Sequence, residues 1–323
     1  MTIKFNETYI ENYYSLIGRN EHNITIKGDE IVSSYYTDKR SVEHSESNFQ
    51  ISTIKGLLNK CKLKEENIDV AVSGDLQNQL FASSFAMRRF NIPFIGHYSA
   101  CSSFTGGILS VASMMQNEKI KNGIVTVSAH NLASEKQYRF PIEYGAIRKR
   151  VNTFTATGSV SALISHKKSI IKIETATIGS VVDLGYSDAN NFGACMAPSA
   201  AKTIWEHLRD TKRKADYYDL ILTGDLGIYG IEILKEYMKK EYKIEIENIM
   251  DAGALLYEDS GKSIAGGSGP VCLPLILFNK IIKDNYKKIL IVGTGSLHSK
   301  TSSNFNESIP SISHAISMEV VNI

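Results

Sequence analysis

The chain has 323 residues, 43% hydrophobic and 22% charged, which supplies a large buried core and excludes a disordered or fibrous protein. Its 36 basic and 34 acidic residues leave a formal net charge of +2, too weak a field to argue for nucleic acid as a partner. The four cysteines, Cys61, Cys101, Cys195 and Cys272, have no CxxC or Cys/His metal spacing and read as reduced thiols of an intracellular protein.

The N-terminal MTIKFNETYIENYYS lacks the apolar core of a secretory signal, and no window reaches the about 18 apolar residues of a spanning helix. A soluble chain, or one peripheral on a membrane, is expected. In residues 47–63, Ile51, Ile54, Leu57, Leu58 and Cys61 share one helix face, which ends in the charged turn KEEN. The first strand pattern of the core is IDVAVSG at 68–74. A short helix in SSFAMRRF follows, then the strand IPFIGHY, a helix through GGILSVASMMQN and the strand GIVTVSA at 123–129. This alternation predicts α/β layers around a mostly parallel sheet. Residues 131–157 predict an ordered loop crossing between two halves, and residues 174–199 a small-residue linker with a helix starting near Pro198.

The second half repeats the first. DVAVSGDLQNQ at 69–79 matches YDLILTGDLGIYG at 218–230, and Gly224 follows Gly74 by 150 positions (224 − 74). A helix and polar turn precede each copy, and KKILIVGTGS at 287–296 answers NGIVTVSAHN at 122–131. Two similar α/β halves, 1–165 and 166–323, are expected, with a site where their loops meet.

Cys101, in YSACSS, stands between a strand and a helix that opens in small residues, where backbone N–H groups and the helix end favour a thiolate. That arrangement suits acyl transfer; a lone cysteine equally well fills space. His130 and His298 follow the matching strands of the two halves and are the candidate bases, or strand-end caps, while His97 reads as a structural cap. Within SEKQYRFPIEYG, Glu135, Lys136, Tyr138, Arg139, Glu143 and Tyr144 offer a guanidinium fork and flat faces that suit a small aromatic acid, or form a solvated face. The basic run IRKRV at 147–151 is a surface patch first and an anion funnel second. GGSGP at 266–270 lacks a phosphate-loop ending and reads as a tight turn or a close backbone approach. Asp75 and Asp225, one in each GDL, read as buried carboxylates accepting loop N–H bonds.

The stretches AVSGDLQNQ, YSACSS, SAHNLASEKQYRFPIEYG, NTFTATGSVSALIS, LILTGDLG, AGGSG, GTGSLHS and ESIPSISHA resemble the stage V sporulation protein AD family, within the thiolase and ketoacyl synthase superfamily, over nearly the whole chain. The resemblance implies a thiolase-like duplicated five-layered α-β-α-β-α fold. It implies a non-enzymatic role: binding dipicolinic acid, with or without calcium, to support its uptake into the developing spore. Implied partners are the other stage V sporulation A proteins, membrane subunits among them, which would place the chain at the inner membrane of the developing spore. A homodimer through sheet edges is expected, with GIVTVSA as the pairing strand.

Cys101 takes the place of the acyl-accepting cysteine of condensing enzymes. The thiolase histidine belongs to a GHPxG stretch whose nearest counterpart here, GGSGP, has none, and His298 matches the ketoacyl synthase pattern only in part. A thiolate without a proton partner loses turnover chemistry, so no catalytic residue and no cofactor beyond calcium is expected. The expected ligand contacts are Cys101, His130, Glu135, Tyr138, Arg139, Tyr144 and His298, and Glu135 or Asp75 would complete a calcium shell. The rivals are a condensing enzyme using Cys101 with His130 or His298, and a structural subunit with a vestigial pocket.

Overall fold

The computed structural model describes residues 1–22, 26–32, 34–138, 149–258 and 264–321. The first half runs β1 (Thr2–Gly18), β2 (Glu30–Val32), α1 (Val42–Cys61), β3 (Val70–Gly74), α2 (Phe81–Met87), β4 (Phe94–Gly96), α3 (Ser103–Met114), β5 (Asn122–Ala129), α4 (Asn131–Tyr138), β6 (Thr153–Thr155) and β7 (Gly158–Ser165). The second runs β8 (Ile171–Thr177), α5 (Phe192–Thr211), β9 (Leu220–Thr223), α6 (Gly227–Tyr242), β10 (Ile249–Asp251), α7 (Ala252–Leu256), β11 (Gly266–Ser268), α8 (Cys272–Asn279), β12 (Lys288–Ser296), α9 (Lys300–Asn304) and β13 (Ser311–Val320).

The strand order β4-β3-β5-β7-β1 continues as β8-β13-β12-β9-β10, a mirrored pair of half-sheets, with β2 beside β1 and β6 paired with β11 apart from them. In each half the outer three strands are parallel and the next two antiparallel. The local chemistry repeats at the same offset. Ser41 and Asn191 cap α1 and α5 through their side chains, and Lys62 and Lys212 end them at φ 54° and 55°. Asp69 Oδ2 accepts the N–H groups of Lys121 and Asn122 at 2.7 and 2.9 Å; Asp219 Oδ2 accepts those of Lys287 and Lys288 at 2.7 and 2.8 Å.

Helix α3 lies between the half-sheets, against β3 and β5 on one side and β12 and β13 on the other, while α1 covers the first half-sheet outside and α5 the second. Phe104, Ile108 and Val111 of α3 and Leu273, Leu275 and Phe278 of α8 share one core with strands of both halves. These are the five layers, and burial of the middle one against two sheets is the main hydrophobic term.

Five sequence expectations change, the first being that the sheet is mixed rather than mostly parallel, because the central strands β5, β7, β1, β8, β13 and β12 pair antiparallel. Strand β1 precedes IDVAVSG and lies at the centre of the sheet; its pattern is concealed because register shifts between Ile10 and Asn12, and near Glu7 at φ 43°, break the two-residue alternation. GIVTVSA, β5, is paired on both sides by β3 and β7 and has no free edge for a second chain; the open edges are β4 and β10. Residues 174–199 begin inside β8, and α5 starts at Phe192, so Pro198 lies within the helix. Residues 131–157 begin as α4 and contain β6.

The matched aspartates yield a paired prediction. Asp69→Ala and Asp219→Ala each strand two strand-end N–H groups and are expected to destabilise by a similar amount, about 1 kcal/mol each, in urea unfolding; a large asymmetry would show that the two halves are not held alike.

Candidate functional site

The C-terminal ends of β3, β4, β5, β9 and β12 point to one place, where an open α/β sheet gathers ligand-binding loops. Leu76 follows β3, Tyr98, Ala100 and Cys101 follow β4, Ser134 lies on α4 after β5, Asp225 follows β9, and Ser296 and His298 end β12. With Tyr138, Thr155, Phe192, Met196 and Ser268 they line a narrow cavity of about 40 Å³.

Cys101 is at its floor. Ala100 takes φ 47°, a left-handed turn unusual for a residue with a Cβ, and this aims the cysteine ahead of α3. The side chain is reachable through the cavity but otherwise enclosed. Burial, the Asp225 carboxylate and the nearby Cys272 push its thiol well above the usual range, against a smaller opposing pull from the Gly269 N–H. These influences oppose the helix-end effect expected from sequence and favour the thiol over the thiolate.

Asp225 is 1% exposed. Its Oδ1 accepts from Thr294 Oγ1 at 2.6 Å, its Oδ2 accepts from the Gly269 N–H at 2.9 Å, and the Cys101 thiol bonds to it as well. Desolvation, with a smaller contribution from Asp251, still raises its carboxyl to about 7. Gly269 sits at φ 111°, a backbone region costly for a residue with a Cβ, so GGSGP does bring backbone close to the site. Asp251 is spent on structure, accepting from Thr223 Oγ1 and the N–H groups of Leu226, Gly227 and Ala254.

Asp75, the first-half partner of Asp225, has a different fate. It accepts from the Gln77 N–H of its own loop and from the N–H and Oγ of Ser83 on α2, off the cavity. Beside it Glu46 accepts from Gln77 Nε2 and Ser128 Oγ; burial first, then Asp75, raise its carboxyl far above the usual range.

The walls are aromatic. Tyr138 donates to the Leu76 carbonyl at 2.6 Å and is hydrogen-bonded to Tyr98, while the His298 ring lies 5.9 Å from Tyr138 and 5.8 Å from Phe192. Burial lowers the His298 imidazole below its usual range. Ser134 and Ser296 line the cavity with buried hydroxyls: Ser134 Oγ has no hydrogen-bond partner, while Ser296 Oγ is hydrogen-bonded to the Cys195 sulfur.

Of the expected contacts, the structure gathers Cys101, Tyr138 and His298. His130 is turned away: its Nε2 meets the Tyr35 carbonyl at 2.7 Å and its ring stacks on Phe49 at 5.6 Å, under α1. It is therefore not placed as a base for Cys101. Glu135 is buried behind the wall, where its carboxylate accepts from the N–H and Oγ1 of Thr155, so neither it nor Asp75 reaches the cavity to ligate calcium. Arg139, Glu143 and Tyr144 lie outside the described residues. Lys136 pairs with Glu43 on the surface, and His97 bonds Ser99 Oγ as a structural group. Among the described residues no cluster of three or more His, Cys, Asp or Glu could hold a metal. Tyr98, Ser134 and Ser296 were not singled out by sequence reasoning, although each lies within a stretch that carries the resemblance.

A mirrored pair of five-stranded half-sheets around a central helix, with a cysteine at that helix's entry, defines a thiolase-like α/β protein. Solved structures of that fold superpose over nearly the whole chain. 3-Oxoacyl-[acyl-carrier-protein] synthase III from Aquifex aeolicus VF5 is 13% identical with a TM-score of 0.54, covering 97% of this chain and 99% of that one. OleA from Xanthomonas campestris, solved with bound lauric acid and lauroyl-CoA, is 12% identical with a TM-score of 0.63 over the same shares. The family model for stage V sporulation protein AD matches residues 1–319. Stage V sporulation protein AD of Bacillus subtilis (strain 168) is 34% identical over 296 residues, 90% of this chain and 87% of that protein. The chain belongs to the stage V sporulation protein AD family, and with it to sporulation. No helix among the described residues is long and apolar enough to cross a membrane.

Two outcomes are expected from these carboxyls. Removing the negative charge with Asp225→Asn lowers the Cys101 pKa, so alkylation by iodoacetamide at pH 8, followed by mass spectrometry, accelerates several-fold over the wild type; an unchanged rate would mean that Asp225 does not govern the thiol. Asp225 and Glu46 hold protons in the folded chain that the unfolded chain has released, so stability falls as pH rises from the ordinary carboxyl range towards and past 7. Thermal melts from pH 5 to 9 are expected to show this decline, and Glu46→Gln to flatten it.

Proposed function

We propose that this protein binds dipicolinic acid in the cavity without covalent turnover and supports its uptake into the developing spore, together with the other stage V sporulation A proteins. The observation that carries the reading is a cavity with aromatic walls, lined also by Ser134, whose buried Oγ has no hydrogen-bond partner, and by Ser296. A buried polar group without a partner is costly, so the Ser134 hydroxyl suits a ligand that accepts from it. Dipicolinate offers two carboxylates on a flat ring, for Ser134 and Ser296 to donate to and for Tyr138, Phe192 and His298 to flank. Arg139 is the guanidinium that the sequence supplies to the same ligand. Turnover is disfavoured by the thiol of Cys101, which is hydrogen-bonded to the Asp225 carboxylate and pushed up by it. Membrane subunits of the same system would hold the chain at the spore's inner membrane.

The homodimer belongs to this proposal through β4 in place of β5. All three β4 residues are exposed on an open sheet edge, with Phe94 at 36%, Ile95 at 46% and nearby Tyr98 at 44%. An open apolar edge is a pairing template, and a second copy would cover it and Tyr98, a wall of the cavity.

Calorimetric titration with dipicolinate, with and without calcium, tests the binding. Saturable binding is expected, weakened about tenfold or more by Ser134→Ala with Ser296→Ala and by Arg139→Ala. Absence of binding, with a thioester on Cys101 after exposure to acyl-CoA, would replace the reading with a condensing enzyme. Sedimentation of Ile95→Asp is expected to give a monomer where the wild type gives a dimer; a wild-type monomer would remove the β4 interface.

A further inference from the structure

Asp225 is the carboxylate of the cavity wall, and among the described residues no lysine or arginine lines the cavity with it. Its three donors, Thr294 Oγ1, the Gly269 N–H and the Cys101 thiol, already bond to it. The titratable groups packed on it are the Cys101 thiol ahead of α3, the Cys272 thiol of α8 and Asp251 of β10, β12 contributes the neutral Thr294, and His298, Tyr98 and Tyr138 line the same cavity, the His298 imidazole lowered by burial. Among the described residues none of the groups bonded to Asp225 is a cation. Even with Arg139 holding one part of an anionic ligand, the part that lies beside Cys101 meets a like charge in a place with little water to screen it.

We infer that Asp225 makes this site select its anion together with a proton: as a ligand carboxylate enters, the Asp225 carboxyl takes one proton from solvent, and loss of that proton expels the ligand. The inference rests on the anion-binding reading above and adds its control. One O–H bond forms on the carboxyl oxygen as one breaks in the hydronium or buffer acid that supplies the proton, so the cavity gains the ligand's charge less one. The cost of ionising Asp225 is already high in the empty site, since burial holds its carboxyl near neutral range, and a second negative charge raises it further. Capture on the acidic side of neutrality and release on the alkaline side follow from one residue. The duplicated counterpart, Asp75, shares the motif but not the position on the cavity, so the first half carries no such control.

The test is calorimetry of the full chain with dipicolinate, whose own carboxyls stay ionised throughout, from about pH 6 to 9, in buffers of different ionisation enthalpy. The expected result is uptake of close to one proton per ligand at pH 8, with Kd weakening towards tenfold per pH unit above neutrality. Asp225→Asn is expected to abolish the uptake and to bind more tightly than wild type at pH 8, with a pH-independent Kd. Thr294→Val, which removes a donor to the ionised carboxylate, is expected to move the wild-type midpoint to higher pH, and it serves as the second variant if Asp225→Asn fails to fold. Saturable binding with no proton uptake overturns the inference and leaves the binding reading intact. Binding that needs one calcium ion per ligand in place of the proton overturns it in the same way. No binding at any pH removes both.

Discussion

The antiparallel pairing of β1 with β8, from Thr2 opposite Thr177 to Ile10 opposite Ile171, joins the two half-sheets at their equivalent edges. Because the strands on either side repeat one order, this seam sends the C-terminal ends of β3, β4 and β5 and those of β9 and β12 towards a common place. Helix α3 then has a sheet on each side, and its entry, with Cys101, is fixed where loops of both halves converge. A cavity assembled this way draws polar groups from distant parts of the chain onto a rigid frame. That suits the recognition of a small polar ligand.

Within that frame duplication supplies two GDL aspartates, and packing gives them different work. Asp75 is saturated locally, by Gln77 of its own loop and Ser83 of the following helix α2. Asp225 is held by Thr294, 69 positions away, and by Gly269, and it is left facing the cysteine. A carboxylate next to a thiol favours S–H over thiolate, the reverse of what nucleophilic catalysis requires. In this chain the fold shared with OleA and the acyl-carrier-protein synthase holds, at the entry of α3, a sulfur whose surroundings favour protonation.

The cavity presents aromatic walls with the Ser134 and Ser296 hydroxyls among its lining. Aromatic faces recognise a ring through area and quadrupole, and hydroxyls recognise carboxylates through direction, so together they discriminate shape and charge position in a way neither does alone. The His298 ring between Tyr138 and Phe192, lowered by burial, adds a neutral flat face here rather than a cation.

By itself the sequence determined the duplication at an offset of 150, helices α1 and α3, strands β3 and β5, and the placing of Cys101 between a strand and a helix. Caps, periodicity and turn chemistry act within a few residues of one another, so they can be read along the chain. Only the tertiary structure decided that β1 is central, since its bulges hide the alternation; that β5 is interior; and that His130 packs on Phe49 rather than facing Cys101. It alone decided which aspartate meets the thiol and which serines line the cavity. Those outcomes depend on which surfaces press together across the seam, and burial, the cause of the raised carboxyls and the enclosed thiol, is a property of neighbours in space rather than in sequence.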